Sequence, residues 1–384
     1  MNKIKNSSMF LLWAGAAISV TEIYTGGMIA PLGIKKGIAA IIIGHIIGTL
    51  LLAFGGFISF KGKKNAMEKV KDSFGSIGAK IVALLNVLQL MGWSAIMIIQ
   101  GGRAISEQLK LPYNFSLLIV AAAVFLWAYS FNNYTKLVND VSVVILIALC
   151  LLVFLKIGSS KVIVLPQNIS FTTAIEITIA MPVSWLPLIG DYAKDGKDSK
   201  GVFLSSFFGY FIGSVLMYVL GLFITIYTGK DIIAFLSGTG LVASLIVLLA
   251  TVTTTFIDVY SAVISSKQIV NFKNENLVTI IYCIIATVFA FIFPMENYQN
   301  FLLLIGSIFV PVYTVVFVDY FIGKNKGNFN INILGCISAV CGTILYNYFS
   351  NNALGIPTVF TVTAVTVIYI LIKKIKFLGG FSNV

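Results

Sequence analysis

The stretch that decides the fold is residues 15–27, GAAISVTEIYTGG. It lies inside an apolar run, residues 9–33, that is long enough to cross a bilayer, and it carries Glu22 near its middle with two glycines just beyond. An ionisable side chain at that depth is costly in hydrocarbon, so it usually faces the protein interior and marks a functional site. We therefore predict that the first membrane helix is broken and that the break forms part of a binding site.

The composition indicates a polytopic helical membrane protein. The 384 residues are 58% hydrophobic and only 10% charged, and the mean hydropathy is +0.98. Apolar runs of membrane-spanning length recur from end to end and predict an all-α membrane protein. Twelve transmembrane helices are predicted, at roughly residues 9–33, 37–60, 78–101, 115–131, 137–157, 171–192, 201–227, 241–264, 277–295, 298–322, 331–349 and 356–372. The connections are too short for a soluble domain, and no cleavable signal pattern is visible, so the first span is expected to stay in the mature protein.

The net charge of +12 is distributed as in a membrane protein. With the N-terminus inside, most of the 26 lysines and arginines fall at cytoplasmic helix ends and loops. The basic residues on the opposite side are Lys35, Lys36, Arg103, Lys110, Lys156, Lys161 and Lys230. This asymmetry predicts that both termini are cytoplasmic in the cell membrane, and it explains the charge without a nucleic-acid partner.

The sixth span resembles the first in being interrupted. It contains AMPVSWLPLIGDY at residues 180–192, where Pro182 and Pro187 each remove a helix hydrogen bond on either side of Trp185. Either interruption alone is consistent with a packing kink. Because the two interrupted spans lie five apart, they run in opposite directions, which is typical of a five-plus-five inverted repeat. We predict one transporter domain over residues 1–384, with repeats at about 9–157 and 171–322 and extra helices within 331–372.

The eighth span carries a candidate cation site. Residues 249–262 read LATVTTTFIDVYSA, so that the backbone carbonyl of Ala250 and the hydroxyls of Thr253 and Thr254 can converge on one point. Oxygen ligands of this kind suit a hard monovalent cation such as sodium. The remaining ligands would be carbonyls from the unwound part of the first span, around Ala17, Ile18, Val20 and Thr21. Threonines in membrane helices also bond back to the carbonyl four residues earlier, so a purely structural role stays open.

Several side chains are candidates for binding a flat heterocycle. Asp258 lies one turn after Thr254 on the same helix face, and with Glu22 it supplies a second intramembrane carboxylate. A protonated carboxyl group presents a donor beside an acceptor, and that pair complements the ring nitrogen and exocyclic amine of an aminopyrimidine. Trp93, within MGWSAIMIIQGG at residues 91–102, can stack on a ring, and Gln100 is a further polar candidate. Structural pairing of either carboxylate remains an alternative.

Other polar groups receive simpler interpretations. His45 is expected to bond a neighbouring helix, and Glu176 to face the outer vestibule. Asp191 and Asp319 are expected to cap helices or close the inner side of the protein. The sequence lacks the phosphate-loop, zinc-protease and hydrolase motifs, which argues against an enzyme.

Four segments resemble the nucleobase:cation symporter-1 family. GWSAIMIIQGG resembles its third-helix signature and LATVTTTFIDV its eighth-helix sodium motif, while WLPLIGDY and VPVYTVVFVDYF are similar to its sixth- and tenth-helix endings. Within the family, the chain looks most like the CytX-type branch, which is associated with hydroxymethylpyrimidine. The resemblance implies a LeuT-type fold, alternating access, and import of a heterocyclic base with sodium or protons.

The resemblance also implies roles for single residues. The family's stacking tryptophan falls on Trp93, its first-helix polar position falls on or next to Glu22, and a second tryptophan is matched loosely by Trp185. Its sodium ligands fall on Ala250, Thr253 and Thr254, with carbonyls near Ile18 and Thr21. The chain departs from the family at Met97, where a glutamine is common, and at Val259, where an asparagine bonds the substrate, which leaves Asp258 as a displaced replacement.

The sequence thus predicts a symporter that imports a pyrimidine-type heterocycle. Hydroxymethylpyrimidine is the expected substrate and cytosine or another nucleobase the alternative. Sodium or a proton is expected as the coupling ion, with no other cofactor, and the expected partners are the lipid bilayer and the small substrate rather than another protein. A membrane sensor that does not transport, or a membrane-embedded enzyme, is the alternative from a different class.

Overall fold

The computed structural model describes residues 3–129, 162–166, 168–236, 241–323 and 329–378. These residues are almost entirely helical. In chain order the helices are α1 (Asn6–Ala17), α2 (Val20–Met28), α3 (Gly33–Gly62), α4 (Ala66–Leu109), α5 (Tyr113–Tyr129), α6 (Phe171–Val183), α7 (Leu186–Ala193), α8 (Ser199–Thr228), α9 (Ile232–Leu236), α10 (Leu241–Ile269), α11 (Glu275–Ile292), α12 (Tyr298–Phe321), α13 (Ile333–Asn351) and α14 (Pro357–Leu378).

Length and composition of the helices fit a membrane protein. Nine helical stretches among the described residues are long and apolar enough to cross a membrane, and α5 is a shorter apolar helix. The predicted span at 137–157 lies outside the described residues, so the count of twelve stays a prediction.

The first span is broken where the sequence predicts. Helix α1 ends at Ala17 and α2 begins at Val20, and between them Ser19 is extended, with φ −140° and ψ 156°. The Ser19 hydroxyl accepts a hydrogen bond from the Glu22 amide at 3.2 Å and so caps α2. The break therefore sets Glu22 in the first turn of a new helix.

The second interruption, between α6 and α7, has a different form. Ser184 and Trp185 keep helical dihedral angles, and the Ser184 amide still donates to the Ala180 carbonyl at 2.9 Å. Pro182 and Pro187 lack amide hydrogens, but their fixed φ is compatible with a helix. The sixth span is consequently kinked by a tight turn, whereas the first span is unwound.

Glycines allow the core helices to approach closely. Helix α2 lies against α8 through Gly26 and Gly221. A Cβ atom on Gly221 would overlap the carbonyl oxygen of Ile23, and one on Gly26 would overlap the backbone of Tyr218. Small residues at such crossings are typical of membrane helix packing. Backbone contact thus fixes the position of the broken first span on α8.

The start of α1 is fastened to the loop that follows α7. The Ile4 amide donates to the Asp195 carbonyl at 2.8 Å, and the Asn6 side chain donates to the Asp198 carboxylate at 3.0 Å. The bond from Asn6, helped by one from the Gly201 amide, lowers the pKa of Asp198 below its usual value. These contacts hold the ends of the two interrupted spans together on the side that carries the N-terminus.

The last two helices pack on the outside of this core. Thr358, at the start of α14, donates to Glu176 of α6 from its amide at 3.1 Å and from its hydroxyl at 2.5 Å. The expectation that Glu176 faces an outer vestibule is therefore wrong, because this carboxylate is buried and caps a helix. At the other end of α14, Lys373 donates to Asp319 of α12 at 2.7 Å. Asp319 thus joins α12 to α14. Its role in capping a helix or closing the inner side of the protein stays a prediction.

Replacing Gly221 by valine is expected to destabilise the protein by about 3 kcal/mol or more, because neither backbone at the α2 and α8 contact can move aside. The measurement is the thermal unfolding midpoint of the purified protein in detergent. The control is Gly56→Ala, where a Cβ atom would meet the flexible end of Ile189, at 3.0 Å and 3.4 Å, and make an ordinary contact with the Ala193 side chain at 3.5 Å. Equal effects of the two substitutions would contradict the assignment of this contact.

Candidate substrate and ion site

One face of α4 reaches both interrupted spans. Gln89, Trp93 and Gln100 lie four and then seven residues apart, which places them on the same face. The side-chain amide of Gln89 donates to the backbone carbonyl of Ser184, at the kink between α6 and α7, at a distance of 2.8 Å. The Gln100 side chain accepts a hydrogen bond from the Thr21 hydroxyl, just past the first break, at 2.9 Å. The helical rise of 1.5 Å per residue separates Gln89 from Gln100 by about 16 Å along the axis of α4, and Trp93 lies between them.

Trp93 is held by aromatic edges from α12. Its ring makes edge contacts with Tyr298, at 6.2 Å between centroids, and with Phe301, at 5.3 Å. Tyr298 in turn shares a hydrogen bond of 2.7 Å with Thr25 of α2. The indole Nε1 of Trp93 is buried and has no hydrogen-bond partner among the described residues. The ring is therefore fixed in orientation while its polar atom stays available.

Helix α10 packs against α4. On α10, Ala250, Thr254 and Asp258 follow one another at intervals of four residues and so share one face. The hydroxyl of Thr254 and one carboxylate oxygen of Asp258 are buried without a hydrogen-bond partner among the described residues. Buried polar atoms normally have partners, so both oxygens are suited to receive a ligand or ion.

The other threonines of this motif have partners already. Thr253 donates to the Leu249 carbonyl at 2.7 Å. This bond to the carbonyl four residues earlier is the structural role that the sequence left open beside cation binding. Such a hydroxyl oxygen keeps a lone pair and can still accept or ligate. Thr255 donates to the sulfur of Met97 at 3.2 Å and so joins α10 to α4.

The structure brings the first break close to α10. Ile18 and Ala250 belong to one cluster of buried apolar residues that also includes Val20 and Ile23. The carbonyl of Thr21 accepts a hydrogen bond from the Thr25 hydroxyl at 2.7 Å. All the residues proposed as sodium ligands thus lie on α10 or beside the break, and their coordination of an ion stays a prediction.

Glu22 is directed toward α8. It is only 1% exposed, and its two oxygens lie 2.6 Å from the Tyr210 hydroxyl and 2.5 Å from the Ser214 hydroxyl. Tyr210 also accepts a hydrogen bond from Trp185 at 2.9 Å, and Ser214 contacts the ring Nε2 of His45. His45 therefore bonds a neighbouring helix, as the sequence predicts. Sequence reasoning missed Tyr210 and Ser214, whose only signal is their four-residue spacing in an apolar span.

No described contact joins the two intramembrane carboxylates. Asp258 lies within electrostatic range of Tyr282 of α11, whose hydroxyl is 3.0 Å from Ser94. Glu22 lies among the side chains of α8 instead. A common cavity for the two carboxylates therefore stays a prediction.

The two remaining candidates also occupy separate surroundings. Trp185 meets Trp13 edge-on, with 6.1 Å between ring centroids, rather than Trp93. Val259 is buried in the apolar core. Neither residue is joined by a described contact to the face of α4 that carries Trp93.

Comparison with known proteins identifies the family. The sequence model of the permeases for cytosine/purines, uracil, thiamine and allantoin matches residues 2–334. The chain belongs to this permease family. It is also similar to the cytosine permease of Escherichia coli strain K12, with 24% identity over 326 residues that cover 81% of this chain and 77% of that protein.

Solved structures confirm the fold of the permease. It matches Mhp1, a nucleobase-cation-symport-1 family transporter in a closed conformation with bromovinylhydantoin bound, with a TM-score of 0.84 at 16% identity over 98% of this chain and 94% of that one. A Na⁺-coupled sialic acid symporter matches with a TM-score of 0.71 at 12% identity, over 96% of this chain and 90% of that one. The fold is therefore the LeuT-type fold with broken first and sixth helices. The permease is a membrane transporter of the nucleobase:cation symporter-1 family and not an enzyme.

Substituting Gln89 by leucine is expected to lower the free energy of unfolding by about 1–3 kcal/mol, because the buried Ser184 carbonyl then loses its side-chain donor. Thermal unfolding in detergent measures this loss. Gln108→Leu is the matched control, since it lies on the same helix and its side-chain oxygen has no partner among the described residues. If both variants unfold at the same temperature, Gln89 does not stabilise the kink.

Proposed function

We propose that this transporter imports a pyrimidine-type heterocycle, with hydroxymethylpyrimidine as its substrate, by symport with Na⁺ or H⁺. The observation that carries the proposal is a set of buried polar atoms without partners among the described residues, on the neighbouring helices α4 and α10. These atoms are Trp93 Nε1, Gln100 Nε2, Thr254 Oγ1 and Asp258 Oδ2. A bound base and a bound cation would supply the partners that the described protein atoms do not.

The chemistry of these atoms suits an amino-substituted ring. The Asp258 carboxylate accepts hydrogen bonds from an exocyclic amine, and the Gln100 amide donates to a ring nitrogen or oxygen. Trp93 offers a flat face for stacking. Met97 and Val259 would line the site with apolar surface in place of the family's amides, and Trp185 would close it from the kink of the sixth span.

Glu22 is proposed to act at the same site from the first turn of α2. Its oxygens are engaged by Tyr210 and Ser214, so it would read the substrate by exchanging one of these hydrogen bonds for a bond to the base. Alternating access in transporters of this kind is a rocking of one helix bundle against another around the site.

Cytosine is the second candidate substrate. The similarity to a cytosine permease favours it, and cytosine carries the same pairing of exocyclic amine and ring nitrogen. Discrimination between the two bases would depend on how the pocket receives the hydroxymethyl group.

For sodium, we propose a site formed by carbonyls of Ile18, Thr21 and Ala250 with the hydroxyls of Thr253 and Thr254. The related sialic acid symporter is Na⁺-coupled, which supports this ion. An ion at this position would tie the first break to α10 and so bias the conformational equilibrium. The two halves of the chain, at about 9–157 and 171–322, would form inverted repeats. The protein would lie in the cell membrane with both termini on the cytoplasmic side.

Uptake into proteoliposomes tests the substrate. Radiolabelled hydroxymethylpyrimidine is offered with competing cytosine, uracil or thiamin, and unlabelled hydroxymethylpyrimidine is expected to compete best. Asp258→Asn is expected to weaken substrate binding about tenfold or more, equivalent to 1.4 kcal/mol, because an acceptor oxygen of the carboxyl group is replaced by an amide that only donates.

Glu176→Gln is the matched control, because this buried carboxylate is occupied by Thr358 and its removal should not affect substrate affinity. If unlabelled cytosine competes best, cytosine rather than hydroxymethylpyrimidine is the substrate. An unchanged affinity in Asp258→Asn would exclude Asp258 as a ligand of the base, and absence of uptake for every base would contradict transport itself.

The sodium site is tested by comparing two adjacent threonines. Thr254→Val is expected to remove the stimulation of uptake by an inward sodium gradient, because the side chain loses its unpartnered oxygen. Thr253→Val is expected to reduce the stimulation less, since this hydroxyl already bonds the Leu249 carbonyl. Sodium dependence that survives both substitutions would place the ion elsewhere.

A further inference from the structure

A stripe of buried polar side chains continues along α10 beyond the candidate sodium site. Thr254, Asp258, Ser261 and Ser265 follow one another at intervals of four, three and four residues, so they share one helix face. Each of the four is at most 1% exposed. Polar side chains inside a membrane are costly and usually mark the pathway of an ion or a substrate. The stripe therefore extends the polar surface of α10 from the candidate site toward the end of the helix.

Ser261, within this stripe, faces the end of α7. Its hydroxyl lies close to the Asp191 carboxyl group and to the Tyr192 hydroxyl. Asp191 is only 3% exposed and Ser261 is fully buried. Nevertheless, Asp191 Oδ2, Ser261 Oγ and the Tyr192 hydroxyl oxygen are buried without a hydrogen-bond partner among the described residues. Three neighbouring oxygen atoms from two helices are thus left unsatisfied by one another.

The charge of Asp191 is not balanced by a contacting cation. Its Oδ1 accepts a hydrogen bond from the Ala66 amide, at the start of α4, at 3.3 Å. None of the ion pairs among the described residues includes Asp191. Lys194 and Glu68 both lie within electrostatic range, and their effects on this carboxylate oppose each other. A buried carboxylate oxygen without a counter-charge is unfavourable, so Oδ2 is suited to bind a cation.

We propose that Asp191, Ser261 and Tyr192 form a second cation site, which holds the coupling Na⁺ after it leaves the site at Thr254. Carboxylate and hydroxyl oxygens are the ligands that hard cations prefer. The helical rise of 1.5 Å per residue places Ser261 about 10 Å from Thr254 along α10. The two sites are therefore separate, and water that enters from the near side of the membrane completes the coordination of the ion at the second one.

Asp258 lies between the two sites on the same face of α10. Tyr192 is within electrostatic range of both Asp258 and Asp191. One oxygen of Asp258 is also buried without a hydrogen-bond partner among the described residues. A cation that moves from Thr254 to Ser261 would stay near oxygen atoms and negative charge throughout, which lowers the cost of moving a charge within the membrane.

Aromatic rings cover the second site on the side that carries the N-terminus. Tyr192 meets Trp13 of α1 edge-on, with 6.2 Å between ring centroids, and its ring lies 5.6 Å from that of Tyr260. Tyr260 is 40% exposed. Separation of these rings would open Asp191 to water on that side, which is proposed to be the cytoplasm. The second site is thus placed to release the ion there.

This inference rests on the proposed function, since the cation must be the coupling ion. The test measures binding of radioactive Na⁺ to the purified full-length protein in detergent. Thr254→Val weakens the first site and is expected to retain Na⁺ binding at Asp191. Adding Asp191→Asn is expected to weaken that remaining binding about tenfold or more, because the amide nitrogen in place of Oδ2 cannot ligate a cation. The amide oxygen can still accept from Ala66.

The matched control combines Thr254→Val with Glu176→Gln, which changes a buried carboxylate that Thr358 already occupies. This control is expected to keep the remaining Na⁺ binding. Loss of all Na⁺ binding in Thr254→Val alone would overturn the proposal. Equal Na⁺ affinity with and without Asp191→Asn would also overturn it.

Two smaller changes test the site without altering the carboxylate. Tyr192→Phe removes the hydroxyl and keeps the ring that meets Trp13 and Tyr260, and Ser261→Ala removes the other hydroxyl. In the Thr254→Val background, each is expected to weaken Na⁺ binding several-fold. If Asp191→Asn does not fold, these variants decide the question, and unchanged binding in both would overturn the site.

Transport kinetics test the position of the site on the exit side. With Asp191→Asn in an otherwise wild-type protein, the maximal rate of sodium-driven base uptake is expected to fall. The outer Na⁺ concentration that gives half of this rate should not change, because the site at Thr254 is intact. A raised half-saturating concentration with an unchanged maximal rate would overturn the exit role. Absence of base uptake in the wild type would overturn the proposed function, whereas the Na⁺ binding measurements judge the Asp191 site separately.

Discussion

The structure depends on one constraint: a helix that is interrupted inside a membrane leaves backbone groups that only the protein can satisfy. Helix α4 meets this need at the sixth span and contacts the first span through a side-chain hydrogen bond, in both cases from a single face. Gln89 donates to the carbonyl at the kink of the sixth span, and Gln100 accepts from Thr21 beside the break of the first. A rigid helix that reaches both interruptions also fixes the distance between them, so the site is built on a framework and the moving parts lie around it.

The buried polar groups form two sets, which differ in whether their hydrogen-bonding atoms already have partners. Trp93, Gln100, Thr254 and Asp258, on α4 and α10, each have a polar atom without a partner among the described residues, which suits a ligand or cation. Those around Glu22 are joined to one another through Tyr210, Ser214 and His45. The first break lies between the two sets, in contact with α8 on one side and near α10 on the other. A shift of α2 would therefore act on both sets at once.

Membership of the permease family and the match to Mhp1 agree with this arrangement. The low identity, 16%, means that the match shows the shared backbone architecture and leaves the side chains of the site to be judged on their own chemistry. Here the chain places Met97 and Val259 where the family is expected to carry amides, and a carboxylate at Asp258 beside them. The framework is shared with Mhp1, whereas the departures from the family's polar pattern stay predictions from the sequence.

The sequence by itself determined the membrane class, the family and the two interrupted spans, because apolar run length, glycine and proline act locally and leave a signal in the order of residues. It also identified Glu22 and Asp258, since an ionisable residue within an apolar run is conspicuous. Only the tertiary structure decided that Glu22 bonds α8 through Tyr210 and Ser214, that Glu176 caps α14, and that the sixth span is kinked rather than unwound. Partners of this kind come from helices far apart in the chain, and a hydroxyl in an apolar helix looks the same in the sequence whichever neighbour it meets.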